Sequence, residues 1–385
     1  MRPLPPMLLV LILWAAGLGA AAQFGKISIL YETLRASYGS HGEVALGLVV
    51  SIVGLVGLIF GTTAGLLVAR IGPRRAIVAA LAAGAAMSAL QSLMPAYPLM
   101  LASRIVEGAS HLAIVVVGPT MIASLAPERR RPLAMTLWSS FFGVTYTILA
   151  LVGPMATPTG LFLGHAAYMA TLAVTLAATL PPDPSGEALP IGNLLAQHAQ
   201  IYLSPRLAAP AMGFCCYTFL YVAVLTLLPP ETPATHRALI AAGMPLVSIA
   251  VSLTLGVWLL GRMSAVRLVQ AGYAVAIPGF LILWLFWGQG AGMVAGGFLL
   301  SAALGIVQGA SFASIPELNP GAADRARAAG AVAQLGNLGT TTGTPVLAAL
   351  LAAAGPSGLA LAAILLCGAG IAVHALQKAR RARLA

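Results

Sequence analysis

The sequence predicts an all-α membrane protein of about twelve transmembrane helices built as two pseudo-symmetric six-helix bundles, and three observations carry that expectation. The composition is 59% hydrophobic and only 8% charged, with a mean hydropathy of +0.95, which leaves too little polar surface to wet a soluble globule. Unbroken apolar runs fill almost the whole chain. One polar, proline-rich stretch near the middle divides them into equal groups. Strands do not compete, because the runs are continuous and do not alternate as a membrane barrel requires.

The first group of runs lies near 7 to 33, 44 to 69, 76 to 96, 98 to 125, 133 to 156 and 160 to 180. The first imitates a secretory signal, with small residues up to Ala22, but apolar character resumes through Tyr31, so it is expected to remain as a span. The stretch from Pro181 to Pro190 breaks helix, and polar residues continue to Arg206. The second group lies near 207 to 229, 238 to 260, 267 to 288, 291 to 316, 328 to 352 and 357 to 377. The expected units are residues 1–180, a cytoplasmic linker 181–206 and residues 207–385. Gly343-Thr-Pro345 is expected to bend its span.

The formal net charge of +11 would suggest nucleic acid in a soluble protein, but placement gives it another meaning. With the N-terminus inside, sixteen of the 20 basic residues fall in cytoplasmic segments, among them Arg70, Arg74, Arg75, Arg129, Arg130, Arg131, Arg262, Arg325, Arg327 and the tail from Lys378. Only Arg35 and Arg237 fall outside. Both termini are therefore expected in the cytoplasm of a bacterial cell, with the chain in the inner membrane. Cys215, Cys216 and Cys367 lie in apolar runs without metal-ligand spacing, and no redox compartment can be read from them.

The two groups of spans also resemble each other. Glu107-Gly-Ala-Ser110 corresponds to Gln308-Gly-Ala-Ser311, and Glu128, Arg131, Trp138 and Gly143 correspond to Asp324, Arg327, Gln334 and Gly339 with identical spacing. Repeats of this kind commonly enclose a transport site between them.

Ionisable groups at membrane depth are costly, so they face a partner or a cavity. Lys26, Arg104, Glu107 and His111 are the candidates. The last three, at spacings of three and four, share one helical face. Glu107 with His111 can exchange a proton near neutral pH, while Lys26 and Arg104 can attract an anion. Equally, Arg104 and Glu107 can form a structural ion pair, and Lys26 can snorkel outward. Trp138, with Phe141, Phe142 and Tyr146, offers either a ligand wall or packing. Gln308, Gln334 and Asn337 suit substrate contact or interhelical hydrogen bonding. Gly57, Gly61 and Gly65, and Gly339 and Gly343, form stripes for close helix approach.

The loop Gly65-Leu-Leu-Val-Ala69-Arg70-Ile71-Gly72-Pro73-Arg74-Arg75 resembles the signature of the major facilitator superfamily, with Ala69 where that family has an acid. Arg104-Ile-Val-Glu107-Gly108 is similar to the family's motif in span 4, and Gly153-Pro154 partly matches the motif usual in its antiporters. Glu107 to Ala134 with Leu137-Trp138 is similar to permeases of the cyanate-permease type. The resemblance implies a cytoplasmic gate at Gly65, Arg70, Gly72, Arg74 and Arg75, and alternating access about a central site. The departure at Ala69 removes the acid of the family's charge lock.

No phosphate loop, zinc cluster or nucleophile with its base is present, so neither catalysis, cofactor, metal nor ATP drive is expected. The expected function is proton-coupled secondary transport of a small organic anion or polar metabolite, the alternative being proton-driven efflux of drugs or metabolites. The expected partners are that substrate, protons and the bilayer, without nucleic acid, and the expected state is a monomer.

Overall fold

The computed structural model describes residues 4–130, 134, 137, 138, 140–183 and 194–383, and among them every regular element is helical. In chain order these are α1 (Pro6–Ile29), α2 (Tyr31–Tyr38), α3 (Glu43–Ser51), α4 (Gly54–Phe60), α5 (Ala64–Ile71), α6 (Pro73–Gln91), α7 (Tyr97–Leu125), α8 (Phe141–Val152) and α9 (Pro158–Thr179). They continue as α10 (Leu194–Leu203), α11 (Ala208–Glu231), α12 (Ala234–Val251), a π-helical turn at Ser252–Gly256, α13 (Val257–Leu260), α14 (Ala265–Leu285), α15 (Gly290–Leu318) and α16 (Ala322–Ala382). By length and composition, 8 helices among the described residues can cross a membrane, or 9 when α3 and α4 count as one bent span.

Packing follows the small residues. Helix α1 lies against α7, α8 and α9, and α6 lies against α7 and α9. A hydrophobic core built on Leu13, Ile77, Val117, Met169 and Leu176 fills the space among these helices. Farther along the chain, α11 packs on α16 and α15, and α14 packs on α15 and α16. The two sets meet where α3 and α4 run along α16 and where α8 crosses α12.

Four expectations need correction or refinement. The run 44 to 69 is not one straight span, because α3 and α4 meet at a 63° bend. Glycine is a poor helix former. Here it is required by contact, since a Cβ on Gly54 would overlap Thr341 and one on Gly57 would overlap Asn337. Gly61 abuts the Gln334 backbone, whereas Gly65 has nothing within 4 Å, so two of the three glycines of the expected stripe meet α16. The region expected to be only polar linker contains α10. Its residues 184–193 lie outside the described residues, as do Arg131 and the side chain of Ala69. Finally, α16 stays helical through Pro345. The break falls at Gly355, whose φ of 62° and ψ of −156° only glycine adopts readily, and it is followed by Pro356.

Candidate functional site

The bend between α3 and α4 creates the first part of the site. The last carbonyls of a helix have no donor within it, and the guanidinium of Arg104 supplies one. Its Nε donates to Val49 O at 2.9 Å and its Nη2 to Val50 O at 3.1 Å. The remaining Nη1 donates to Glu107 Oε2, one turn along α7. Arg104 thus caps α3 and pairs with Glu107 at once, and it is fully buried.

Lys26 completes the centre from α1. Its three hydrogens match three acceptors: Glu107 Oε1 at 2.6 Å, Ser88 Oγ at 2.9 Å and His165 Nδ1 at 3.2 Å. Snorkelling is overturned, because the side chain is 0% exposed and turned inward. His165 Nε2 lies 3.0 Å from Gly19 O. A carbonyl only accepts, so Nε2 carries the hydrogen and Nδ1 presents the lone pair that Lys26 meets. Ser88 Oγ in turn donates to Phe162 O at 2.9 Å. Gln91 Nε2 donates to Glu107 Oε2 at 2.9 Å, which fills the carboxylate's second oxygen.

The buried group is therefore Lys26, Arg104, Glu107 and His165, tied by Ser88 and Gln91 across α1, α6, α7 and α9. Two cations share one carboxylate, so with neutral His165 the group carries one surplus positive charge. The sequence reading missed His165, Ser88 and Gln91. His165 satisfied the same rule that selected the others, an ionisable group inside an apolar run, whereas only the fold brings Ser88 and Gln91 to it.

His111 shares the face of Arg104 and Glu107 but does not reach the carboxylate. Its Nδ1 donates to Ala20 O at 3.0 Å, and Phe24 lies edge-on against its ring. Trp138 is packed between Gly17 and Gly118, where it fills the core, and does not form an open wall. Gln334 bridges the two sets of helices: its Nε2 donates to Leu58 O at 2.9 Å and its Oε1 accepts from Tyr202 OH at 2.7 Å. Asn337 packs on Gly57 and donates to Ala333 O. Gln308 is half-buried on α15 and makes no contact with the charged group.

Between the two sets, aromatic rings replace charge. Phe142 stacks on Tyr146 at 5.0 Å and tilts toward Tyr221, which stacks on Tyr217. Ser28 Oγ lies 3.2 Å from Tyr146 OH and accepts from Thr226 Oγ1 at 2.9 Å, closing this seam near one end.

At the proposed gate loop, Gly72 has φ of 96° and would overlap Asp183 if it carried a Cβ. Asp183 Oδ1 accepts from Arg74 N at 2.7 Å and Oδ2 from Arg75 N at 3.0 Å, so a carboxylate caps the first turn of α6. Arg74 Nη2 reaches Ala177 O at 2.5 Å, and Arg70 is exposed.

Two cavities adjoin these features. One of about 350 Å³ opens between α1, α8 and α9, with apolar walls and with Lys26 and His165 at its edge. The other, about 320 Å³, lies at the junction of α2, α11 and α16 and is lined by Arg35, Glu43, Glu231 and Trp287. Arg35 is held by Glu32 and Glu43, each at 3.2 Å. Burial opposes its charge, but the two carboxylates outweigh that and raise its pKa.

The sequence profile described as Major Facilitator Superfamily matches residues 9–320. The Inner membrane transport protein YajR of Escherichia coli (strain K12) is 28% identical over 197 residues, which is 49% of this chain. That stretch spans 42% of YajR, less than half its length. Among solved structures, a bacterial homolog to the human lysosomal transporter Spinster, in an inward-facing and occupied conformation, superposes with a TM-score of 0.78 at 13% identity, covering 97% of each chain. A variant of the E. coli fucose:proton symporter FucP gives 0.66 at 16% identity over 97% of this chain and 99% of FucP. The human organic anion transporter MFSD10 gives 0.69 at 17% identity over 97% of this chain and all 100% of its own.

Proposed function

This multi-pass membrane protein belongs to the Major Facilitator Superfamily, and from that premise we propose that it is a proton-coupled secondary transporter that moves a small polar metabolite across a bacterial inner membrane by alternating access. The observation that carries this reading is the buried group of Lys26, Arg104, Glu107 and His165. A lone charge pair would serve stability alone. Here Glu107 holds two cations from different helices, and one of them also holds the backbone of α3, the helix that runs along α16.

In this mechanism a proton on Glu107 removes the charge that Lys26 and Arg104 share. Lys26 then turns to Ser88 and His165, and Arg104 loosens its hold on Val49 and Val50. The contact of α3 and α4 with α16 relaxes as a result, and the two sets of helices move apart on one side. His165 takes a proton on Nδ1 only when Lys26 has left it or has lost its own, because two N–H groups cannot face each other there.

Twelve spans fit the helices present. The 8 long helices and the bent pair are joined by α6, by the shorter apolar helix α8, and by division of α16 at Gly355. On this count residues 1–180 and 207–385 form two bundles joined by 181–206, both termini are cytoplasmic, and a monomer is the transporting unit. The loop at Gly65, Arg70, Gly72, Arg74 and Arg75 acts as the cytoplasmic gate, and the helix α4 that leads into it bears on Gln334 and Asn337 of α16.

An organic anion would have to compete for Lys26 and Arg104, whose N–H groups already meet Glu107, Ser88, His165, Val49 O and Val50 O. A second reading, proton-driven efflux of drugs or metabolites, is favoured by Gly153-Pro154 and by the aromatic seam of Phe142, Tyr146, Tyr217 and Tyr221. Driven uptake and counterflow in proteoliposomes test the coupling. Glu107→Gln and His165→Gln should lose proton-driven accumulation while substrate counterflow persists, and His111→Gln should keep both. Full driven accumulation by folded Glu107→Gln would remove the proton from this group.

A further inference from the structure

We propose that the cavity at the junction of α2, α11 and α16 is a recognition site for a small protonated amine, so that the transported metabolite carries an ammonium group. The inference rests on reading the chain as a transporter with this cavity on the outer face.

The charge balance of the cavity differs from that of the rest of the chain. The molecule has a net charge of +11, yet in the lining here Glu43 and Glu231 stand against Arg35. Arg35 is occupied by Glu32 and Glu43. Arg237, the other nearby guanidinium, donates to Pro229 O and Pro230 O at 3.1 Å and does not line the cavity. With Arg237 and Glu32, both outside the lining, also counted, three carboxylates face two cations. Glu231 has no ion pair within 4 Å among the described residues, although it faces this space with its side chain half-buried.

The backbone adds a second acceptor independently. Pro356 has no N–H, so the carbonyl four residues before it, that of Ala352, lacks its usual helical donor. Ala352, Gly355 and Pro356 all line the cavity, and Gly355 has no atom within 4 Å of where a Cβ would stand. A carboxylate on α11 and a carbonyl on α16 lining one cavity suit an ammonium with hydrogens to donate. Trp287 and Leu227, also in the lining, suit an apolar stem, and an indole face attracts a cation. A volume of about 320 Å³ is at the small end of ligand pockets. An anion of the same size would meet the acidic surplus with only Arg35 to receive it, and Arg35 is already doubly paired.

The test uses purified full-length protein in detergent at pH 7, with calorimetric titration of n-butylammonium chloride, tetramethylammonium chloride and sodium butyrate. Butylammonium should bind and raise the thermal midpoint. Tetramethylammonium, which cannot donate to the carbonyl, should bind more weakly, and butyrate should not bind. Glu231→Gln should weaken butylammonium at least tenfold and Trp287→Leu several-fold, while Glu128→Gln, outside the cavity, should leave it unchanged. Butyrate binding as well as butylammonium, or unaltered affinity in folded Glu231→Gln, would overturn the proposal. Binding needs no proton gradient. Amine binding without any transport would count against the transporter reading alone, and transport without amine binding would count against this site alone.

Discussion

Charge counting at single residues ranks the members of the buried group. Removal of Glu107 leaves two cations in an apolar interior, and breaking a buried pair in this way costs about 3–5 kcal/mol. Removal of Arg104 leaves a balanced Lys26–Glu107 pair but strips Val49 O and Val50 O of their donor. Removal of Lys26 leaves a balanced Arg104–Glu107 pair, and Ser88 can turn to His165, 3.0 Å away. The thermal midpoints of purified variants should therefore fall in the order Lys26→Met, Arg104→Met, Glu107→Gln, with Lys26→Met nearest to wild type. A Lys26→Met midpoint as low as that of Glu107→Gln would show that the surplus charge is not what the interior penalises. The sequence made Arg104 with Glu107 legible, because three-residue spacing on a helix implies contact. It could not pair Lys26 with Glu107, 81 positions apart, and it wrongly reached from Glu107 to His111, since rotamer and backbone acceptors decide which neighbour a histidine meets.

At the scale of elements, the contact of α4 with α16 separates glycines that look alike in the sequence. Gly57 faces Asn337 directly, and Gly65, two turns on, faces open space. Overpacking costs about 1–3 kcal/mol, whereas a surface change stays within about 0.5 kcal/mol. Gly57→Leu should lower both thermal midpoint and transport rate, and Gly65→Leu should leave the midpoint near that of wild type. Equal effects of the two on the midpoint would mean that α4 does not bear on α16 as described. Helices were legible from apolar runs because lipid imposes their length. Bends were not. The 63° turn between α3 and α4 leaves carbonyls that Arg104, 54 and 55 positions away, caps, and the break at Gly355 needs a positive φ that composition does not reveal. The cap on α6 was equally hidden: with Ala69 in the place of the family's acid, the carboxylate at this loop is Asp183, reaching back from beyond α9.

For the molecule as a whole, the basic residues of the chain argue for one orientation. A phosphatase fused after Ala385 should be inactive in intact cells and a cytoplasmic fluorescent reporter should be bright there, with the opposite pattern reversing the topology. The described residues are also unequal in kind across the chain. The charged residues that are wholly buried, Lys26, Arg104 and Glu107, all precede residue 180, and beyond it the buried polar groups include Ser248, Ser301 and Thr344. Substrate fit can therefore vary along α11 to α16 with little effect on Glu107 and its partners.

The surplus positive charge on Lys26, Arg104 and Glu107 also makes the protein an electrical object. One elementary charge crossing the full membrane field exchanges about 2.3 kcal/mol per 100 mV. If the first bundle carries its charge through about a tenth of that field as it rocks, the resting potential of the cell shifts the balance between its two orientations by about 0.2 kcal/mol per 100 mV. A proton on Glu107 doubles the charge in motion. On the mechanism proposed above, the empty and the protonated carrier would answer to voltage with different strength, and the interior-negative potential would help to set which face waits open.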